Sequence, residues 1–229
     1  YCFQCHDMFE ESGFCKVHKL QWTCSPSSTG TRNEILAWAR RQGLKRIWMQ
    51  DDNVVSHGRF NGQRKKRTWN PNFFAELEQF AIDHDIDIIG PERDGFVRAG
   101  YTVDPIRMMH RQYSCFNMRT DEYFRTKWNE DTDLALRVLL RGGRTCTIRT
   151  HTFQKSGRTR STIHKGHAGG NSEIYDDTRE AYAEEITKAY PHLATKRWKW
   201  GRWHAAINWK YFLEGVETPD CPWEWKSID

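Results

Sequence analysis

Arg46-Ile47-Trp48-Met49-Gln50-Asp51-Asp52-Asn53 is the stretch on which the fold turns. Residues 46–50 have the length and side chains of a short strand, and the run stops abruptly in polar residues. In open α/β sheets the carboxyl ends of strands line the ligand crevice. Adjacent carboxylates there repel one another unless a cation lies between them, and a hard divalent ion takes oxygen ligands. Asp51, Asp52 and Asn53 are therefore candidate metal ligands and candidate contacts of a cofactor's diphosphate. An acidic turn closing a strand is the plainer alternative, which spacing alone leaves open.

Helix and strand signals alternate outward from this point, from Ser25 to about His151. The polar run Ser27–Gly30 caps a helix predicted over Thr31–Gln42, with Gly43 as its stop and Ile35, Leu36, Trp38 and Ala39 on its apolar face. Asn70-Pro71 predicts a helix start with Pro at the first helical position, followed by a stripe of Phe73, Phe74, Leu77, Phe80 and Ala81. Strands are expected at Asp85–Gly90, Tyr113–Met118 and Thr145–Phe153, with a helix over Thr132–Arg141 that ends at Gly142-Gly143. This is an α/β pattern. Gln154–Asn171 lacks apolar periodicity and reads as a loop beside a site, and Glu173–Tyr190 as an amphipathic helix closed by Pro191. With no internal repeat or clear linker, a single domain over 1–229 is expected, its Trp-rich end 172–229 a helical extension.

Glu130-Asp131-Thr132-Asp133 opens the predicted helix after Trp128-Asn129. Acids in a first turn ordinarily complement the helix dipole. The functional alternative makes Asp131 a general base toward an acceptor hydroxyl, with Glu130 and Asp133 as its neighbours in the catalytic group. His151, near the end of the following strand, is a candidate to complete a carboxylate–imidazole metal site, which favours manganese over magnesium. A core or surface histidine is the competing reading.

In this order the pieces resemble the GT-A glycosyltransferase fold, a Rossmann-like mixed sheet flanked by helices. Gly30-Thr31-Arg32-Asn33-Glu34-Ile35-Leu36 resembles the family's Arg-Asn helix start, Asp51-Asp52-Asn53 its metal motif, Trp128–Leu134 its acceptor-side acidic motif, and Thr150-His151-Thr152 the metal histidine. Within that fold the chain resembles the glycosyltransferases associated with TET/JBP-type DNA oxygenases of phages. The resemblance implies a nucleotide-sugar donor, with a UDP-sugar expected, and a hydroxymethylated pyrimidine in DNA, such as 5-hydroxymethylcytosine, as acceptor. Arg32 and Asn33 are expected on the nucleotide, and a divalent cation, manganese or magnesium, at Asp51, Asp52, Asn53 and His151. The third metal position is Asn53 where the family pattern has an acid. There is little room for the family's first strand before Arg32, and the chain opens on Tyr1 rather than Met, so an upstream segment is expected.

Composition bounds the alternatives. With 38% hydrophobic and 28% charged residues a disordered chain is excluded, and no apolar run is long enough for a membrane span. Lys+Arg 35 against Asp+Glu 30 leaves an excess of +5, too small by itself to demand a polyanion. The 7 cysteines are an odd number, and no Asn-x-Ser/Thr sequon occurs; a reducing, cytoplasmic location is expected, a host's cytoplasm for a phage protein. Cys2-x-x-Cys5 and Cys15-x-x-His18 have the spacing of a structural zinc site. Two sheet strands are the rival, in which Cys2 and Cys5 face opposite ways.

Basic clusters flank the proposed site. Arg59, Arg64, Lys65, Lys66 and Arg67 form one, and Arg144, Arg149, Lys155, Arg158 and Arg160 another. In 196–203 cations alternate with Trp198, Trp200 and Trp203. Cations neutralise phosphates and aromatic rings stack on exposed bases, while a solvated basic face is the bland reading. Arg64, Lys65, Lys66, Arg67, Arg158 and Arg160 are the candidate DNA contacts. Three function classes follow: the DNA glycosyltransferase, a transferase with a protein, glycan or small-molecule acceptor, and a non-catalytic nucleic-acid-binding module holding zinc.

Overall fold

A computed structural model of the chain describes residues 28–51, 53–60, 67–68, 70–97, 106–109, 113–126, 129–155, 171–199 and 201–223. Its elements in chain order are α1 (Ser28–Arg41), β1 (Arg46–Gln50), β2 (Val54–Phe60), β3 (Arg67–Thr68), α2 (Phe73–Asp83), β4 (Ile88–Arg93), β5 (Ile106–Arg107), β6 (Cys115–Arg119), α3 (Glu130–Leu140), β7 (Thr145–Lys155), α4 (Asn171–Ala189), β8 (Ala194–Lys199) and β9 (Arg202–Ile207). The mixed α/β class expected from the sequence is what the chain forms. The main sheet runs β1-β6-β4-β7-β2-β3, with β5 also on β7. β4 pairs β7 in parallel, whereas β6 is antiparallel to both β1 and β4, and β2 is antiparallel to β7.

That order forces the sheet to curl. β1 and β2 have three strands between them, yet only residues 51–53 join them. Four places across a flat sheet are about 19 Å at ~4.8 Å per strand. The connecting chain reaches at most about 14 Å. The strands therefore wrap until the two ends approach. Cys115 of β6 duly lies 3.6 Å from the His57 ring of β2, across the curl.

Alternation along the strands divides the core into two layers. Ile88, Met49, Phe116 and Met118 turn to the face covered by Leu36 of α1 and by Leu134 and Val138 of α3. Ile89, Cys146 and Ile148 turn to the face covered by Phe73, Leu77, Phe80 and Ala81 of α2. The helix stops are as the glycines predict: Gly43 and Gly142 take φ of +71° and +83°, left-handed values that favour glycine at a helix end.

Four local expectations need correction. Pro71 lies ahead of α2, in a turn where the Asn72 N–H donates to Asn70 Oδ1 at 3.0 Å, so the helix starts only at Phe73. Phe74, placed in the buried stripe, is 39% exposed and packs edge-on against Trp48. β2 was not anticipated; the alternation in 54–60 is broken by Gly58, and the strand exists because β7 supplies its ladder. Among the described residues beyond α4, 194–207 do not continue as a helical extension. α4 stops at Ala189, and β8 and β9 form a two-stranded antiparallel hairpin in register from Ala194↔Ile207 to Lys199↔Arg202. Six cross-strand pairs hold it, and Gly201 at φ +73° lies in the turn, a left-handed value that favours glycine.

Candidate active site

Beyond β1 the Asp51 N–H donates to the Ser114 carbonyl at 2.8 Å, which prolongs the contact with the β6 side and holds the carboxylate at the strand's carboxyl end. Because the sheet curls, the end of β7 reaches the same spot. Lys155 Nζ lies 3.0 Å from Asp51 Oδ2 and donates to Ser114 Oγ at 2.8 Å. Arg32, in the first turns of α1, approaches Asp51 Oδ1 from the other side at 3.6 Å. The same guanidinium donates to Glu130 Oε1 at 3.1 Å and to the Tyr113 carbonyl at 3.2 Å. Its carbon stands 5.2 Å from the centre of the Phe124 ring. One planar cation thus spans the strand-end acid and the first acid of α3. The Arg32 and Lys155 side chains are only 16% and 15% exposed, so their fields are less screened than at an open surface.

Asp131 follows Glu130 in the first turn of α3. Its Oδ1 accepts the Thr132 N–H at 2.7 Å. Burial of the carboxyl raises its pKa above the ordinary value, against the opposing pull of the Thr132 amide and the Arg32 charge. A carboxylate that holds a proton more readily than its peers suits general-base work on a hydroxyl. At the other end of the site, Asn53 Oδ1 is buried and has no hydrogen-bond partner among the described residues. That orphaned amide oxygen is of the donor type a hard divalent cation takes, as is the Asp51 carboxylate two residues earlier, whose two oxygens face Lys155 and Arg32 here. Among the described residues no group of three or more His, Cys, Asp and Glu side chains converges as a metal site, and Asp52 lies outside them.

A family model described as TET-Associated Glycosyltransferase matches residues 17–161, which takes in the α1 start, the Asp51 turn, the α3 acids and β7. The chain belongs to that family. It is a glycosyltransferase. No curated protein and no solved structure matches the chain.

Not every residue expected in the site of this glycosyltransferase is there. His151 is wholly buried in β7, four residues before Lys155, or about 13 Å back along the strand. Its Nε2 faces Glu76 Oε2 at 2.8 Å, its Nδ1 faces Thr150 Oγ1 at 3.1 Å, and its ring lies 4.6 Å from that of Trp223. Burial lowers its pKa to about 4, and its two ring nitrogens face Glu76 and Thr150 about 13 Å along the strand from the Asp51 end, so it does not join Asp51. Asn33 is likewise turned inward. Its amide nitrogen donates to the Phe124 carbonyl at 2.7 Å and its oxygen accepts the Phe124 N–H at 2.8 Å, which fixes the ring under Arg32. Asp133 is fully buried, with Arg125 and Tyr190 on one oxygen and Arg137 on the other, and has no free lone pair directed at a substrate.

Other expectations fall on undescribed positions. Arg64, Lys65, Lys66, Arg158, Arg160 and the zinc candidates Cys2, Cys5, Cys15 and His18 lie outside the described residues, as does most of 154–171. Arg67 is placed only as a β3 backbone position opposite Phe60. Lys155 is the residue that sequence reasoning misassigned. It was named only within the second basic cluster, just beyond the strand expected to end at Phe153; the strand continues and carries it to the ligand end of the sheet. A cavity of about 560 Å³ opens at the opposite end of β1, lined by Lys45, Arg46 and Arg119, and so lies away from this chemistry.

Proposed function

We propose that the chain is a GT-A-type transferase that moves a sugar from a nucleotide-sugar to the hydroxymethyl group of a modified pyrimidine in DNA. The observation that carries this reading is the Arg32 guanidinium, which holds the strand-end acid Asp51 and the helix-start acid Glu130 on either side of one group. The nearness of these two acids, 79 positions apart in the chain, supports a reading in which donor and acceptor meet at one site. The DNA acceptor is supported by the family to which the chain belongs.

In this mechanism Arg32 and Lys155 face the donor diphosphate and offset the charge that grows on it as the glycosidic bond breaks. A divalent cation on Asp51 and Asn53, with Asp52 adjacent in sequence, supplies further charge neutralisation when bound. Asp131 accepts the proton of the acceptor hydroxyl as its oxygen attacks the anomeric carbon in line with departing nucleoside diphosphate, which inverts that centre. Glu130 keeps Arg32 oriented. No membrane role enters, and no helix among the described residues is long and apolar enough to cross one.

The deciding experiment offers UDP- and other nucleotide-sugars with duplex DNA containing 5-hydroxymethylcytosine or 5-hydroxymethyluracil, followed by mass analysis of the digested nucleosides. A mass gain of one hexose or pentose is expected, lost on chelation and restored by manganese or magnesium. An unchanged nucleoside across the whole panel overturns the reading. Lys155→Ala is expected to raise the donor KM about 10- to 100-fold, the equivalent of the ~1.5–3 kcal/mol of a charged hydrogen bond, with the acceptor KM unchanged. Steady-state titration of each substrate in turn checks this.

A further inference from the structure

The β8–β9 hairpin lies beyond the residues that the family model matches, and its register sorts its side chains by face. Ala194, Lys196, Trp198, Trp203, Ala205 and Ile207 share one face, and Ala205 and Ile207 pack with Leu136 of α3 and Ile186 of α4. Lys196 belongs to this inner face, where Glu180 and Glu184 of α4 hold it at 2.7 and 2.9 Å. The Trp198 and Trp203 rings meet edge-to-face at 5.3 Å and stiffen the tip. The outer face carries Arg197 opposite His204 and Lys199 opposite Arg202, and neither strand contains an acid. Arg197, Lys199 and Arg202 are all exposed.

The hairpin is also aimed. Its base, at Leu193 and Ala194, packs on Leu136, in the second half of α3. Lys196 then reaches Glu184 and Glu180, so the strands run back along α4 toward its start. Between those two glutamates, the Tyr182 carbonyl accepts from Asn129 Nδ2 at 3.1 Å, and Asn129 immediately precedes Glu130 and Asp131. The tip, with Lys199 and Arg202, therefore projects past the level of Asn129, toward the end of α3 at which its acids lie.

We propose that the outer face of this hairpin is a clamp for the sugar–phosphate backbone of the duplex that carries the acceptor base. Same-face residues two apart in a strand stand about 6–7 Å apart, close to the through-space separation of adjacent phosphates along one DNA strand, whose axial rise is only ~3.4 Å. Arg197 and Lys199 on one strand, with Arg202 on the other, thus present three positive groups at phosphate spacing from a rigid scaffold. Such contacts position a duplex without reading its sequence. The choice of DNA as occupant rests on the proposed function, and anionic lipid is the alternative the test separates.

The test compares wild type, the triple variant R197A/K199A/R202A and the charge-conserving R197K/R202K by fluorescence anisotropy with an unmodified duplex over a series of salt concentrations. The triple variant is expected to bind at least about tenfold more weakly, with a salt slope shallower by roughly 2–3, at ~0.9 per lost phosphate contact. R197K/R202K is expected to bind as wild type does, and transfer to the free hydroxymethyl nucleoside is expected to be unchanged in both. Equal affinity and equal slope for wild type and triple variant overturn the clamp, as does loss of binding to phosphatidylserine vesicles with duplex binding intact. A wild-type protein that binds duplex through these residues but glycosylates nothing leaves the clamp standing and overturns the proposed function instead.

Discussion

Asp131→Asn is expected to lower kcat by about 10²- to 10⁴-fold, the usual contribution of a positioned general base, while the fold holds. The amide keeps an oxygen for the Thr132 N–H but cannot accept the acceptor's proton at neutral pH. The direction of the Asp131 pKa sets two accompanying signs. Since burial raises it above its unfolded value, the carboxyl contributes stability that is fully present below the unfolded pKa and is lost as pH rises through the folded one. At neutral pH the ionised group is therefore a net cost, so the neutral Asn variant is expected to melt no lower than wild type. The base must be ionised to work, so kcat/KM of the wild type is expected to rise with pH through a window beginning above about 4, the ordinary carboxylate value. The variant is expected to lack that acidic limb. Thermal melts with a pH–rate profile check all three, and an Asp131→Asn protein with wild-type kcat removes Asp131 from the mechanism.

Asp133→Ala is expected to do the reverse, and chiefly to harm the fold. Asp133 is fully buried, and its removal takes the carboxylate from Arg125, Arg137 and the Tyr190 hydroxyl. Arg137, whose Nε lies 3.0 Å from Asp133 Oδ2, keeps only the Tyr123 carbonyl, and the Tyr190 hydroxyl only the long contact to the Asp133 carbonyl. Breaking a buried pair by deleting one partner costs about 3–5 kcal/mol. The lower end, about 3 kcal/mol, is expected because the Arg125 side chain is 44% exposed and can rehydrate. For a chain of this size that is a fall of roughly 6–12 °C in Tm. The loss should extend to α4 and the hairpin behind it, since Tyr190 ties that segment to α3 through Asp133. A variant that melts with wild type but fails to turn over would return Asp133 to the catalytic group. Two acids of one turn, Asp131 and Asp133, thus separate by opposite signatures.

Much of the site was legible because it is built from local signals. The strand ending in Asp51, the helix opening at Glu130, and Arg32 in the first turns of α1 each follow from short-range pattern and capping chemistry. The misplacements have a common cause. His151 has the residue type and sequence position of a metal ligand, but its side chain falls on the core side of β7, where Phe73, Glu76 and Trp223 enclose it. Asp133 has the type of a base and sits two residues after one, a spacing that carries it to a different face of the helix, against α4. The hairpin was expected as part of a helical extension, whereas cross-strand pairing puts Trp198 and Trp203 side by side.

The amino-acid order by itself determined the α/β class, the strand that delivers Asp51 and the helix that delivers Glu130 and Asp131. Those depend on interactions a few residues apart, where side-chain period and turn chemistry act directly. Only the tertiary structure decided that Lys155 meets Asp51, that Arg32 joins Asp51 to Glu130, that Asn33 and His151 turn inward, and that the final strands form a cationic hairpin. The Lys155–Asp51 contact depends on how far the sheet curls for residues 51–53 to join β1 to β2. The Arg32, Asn33 and His151 contacts depend on segments tens of residues apart, and the hairpin on cross-strand pairing in a sheet of its own.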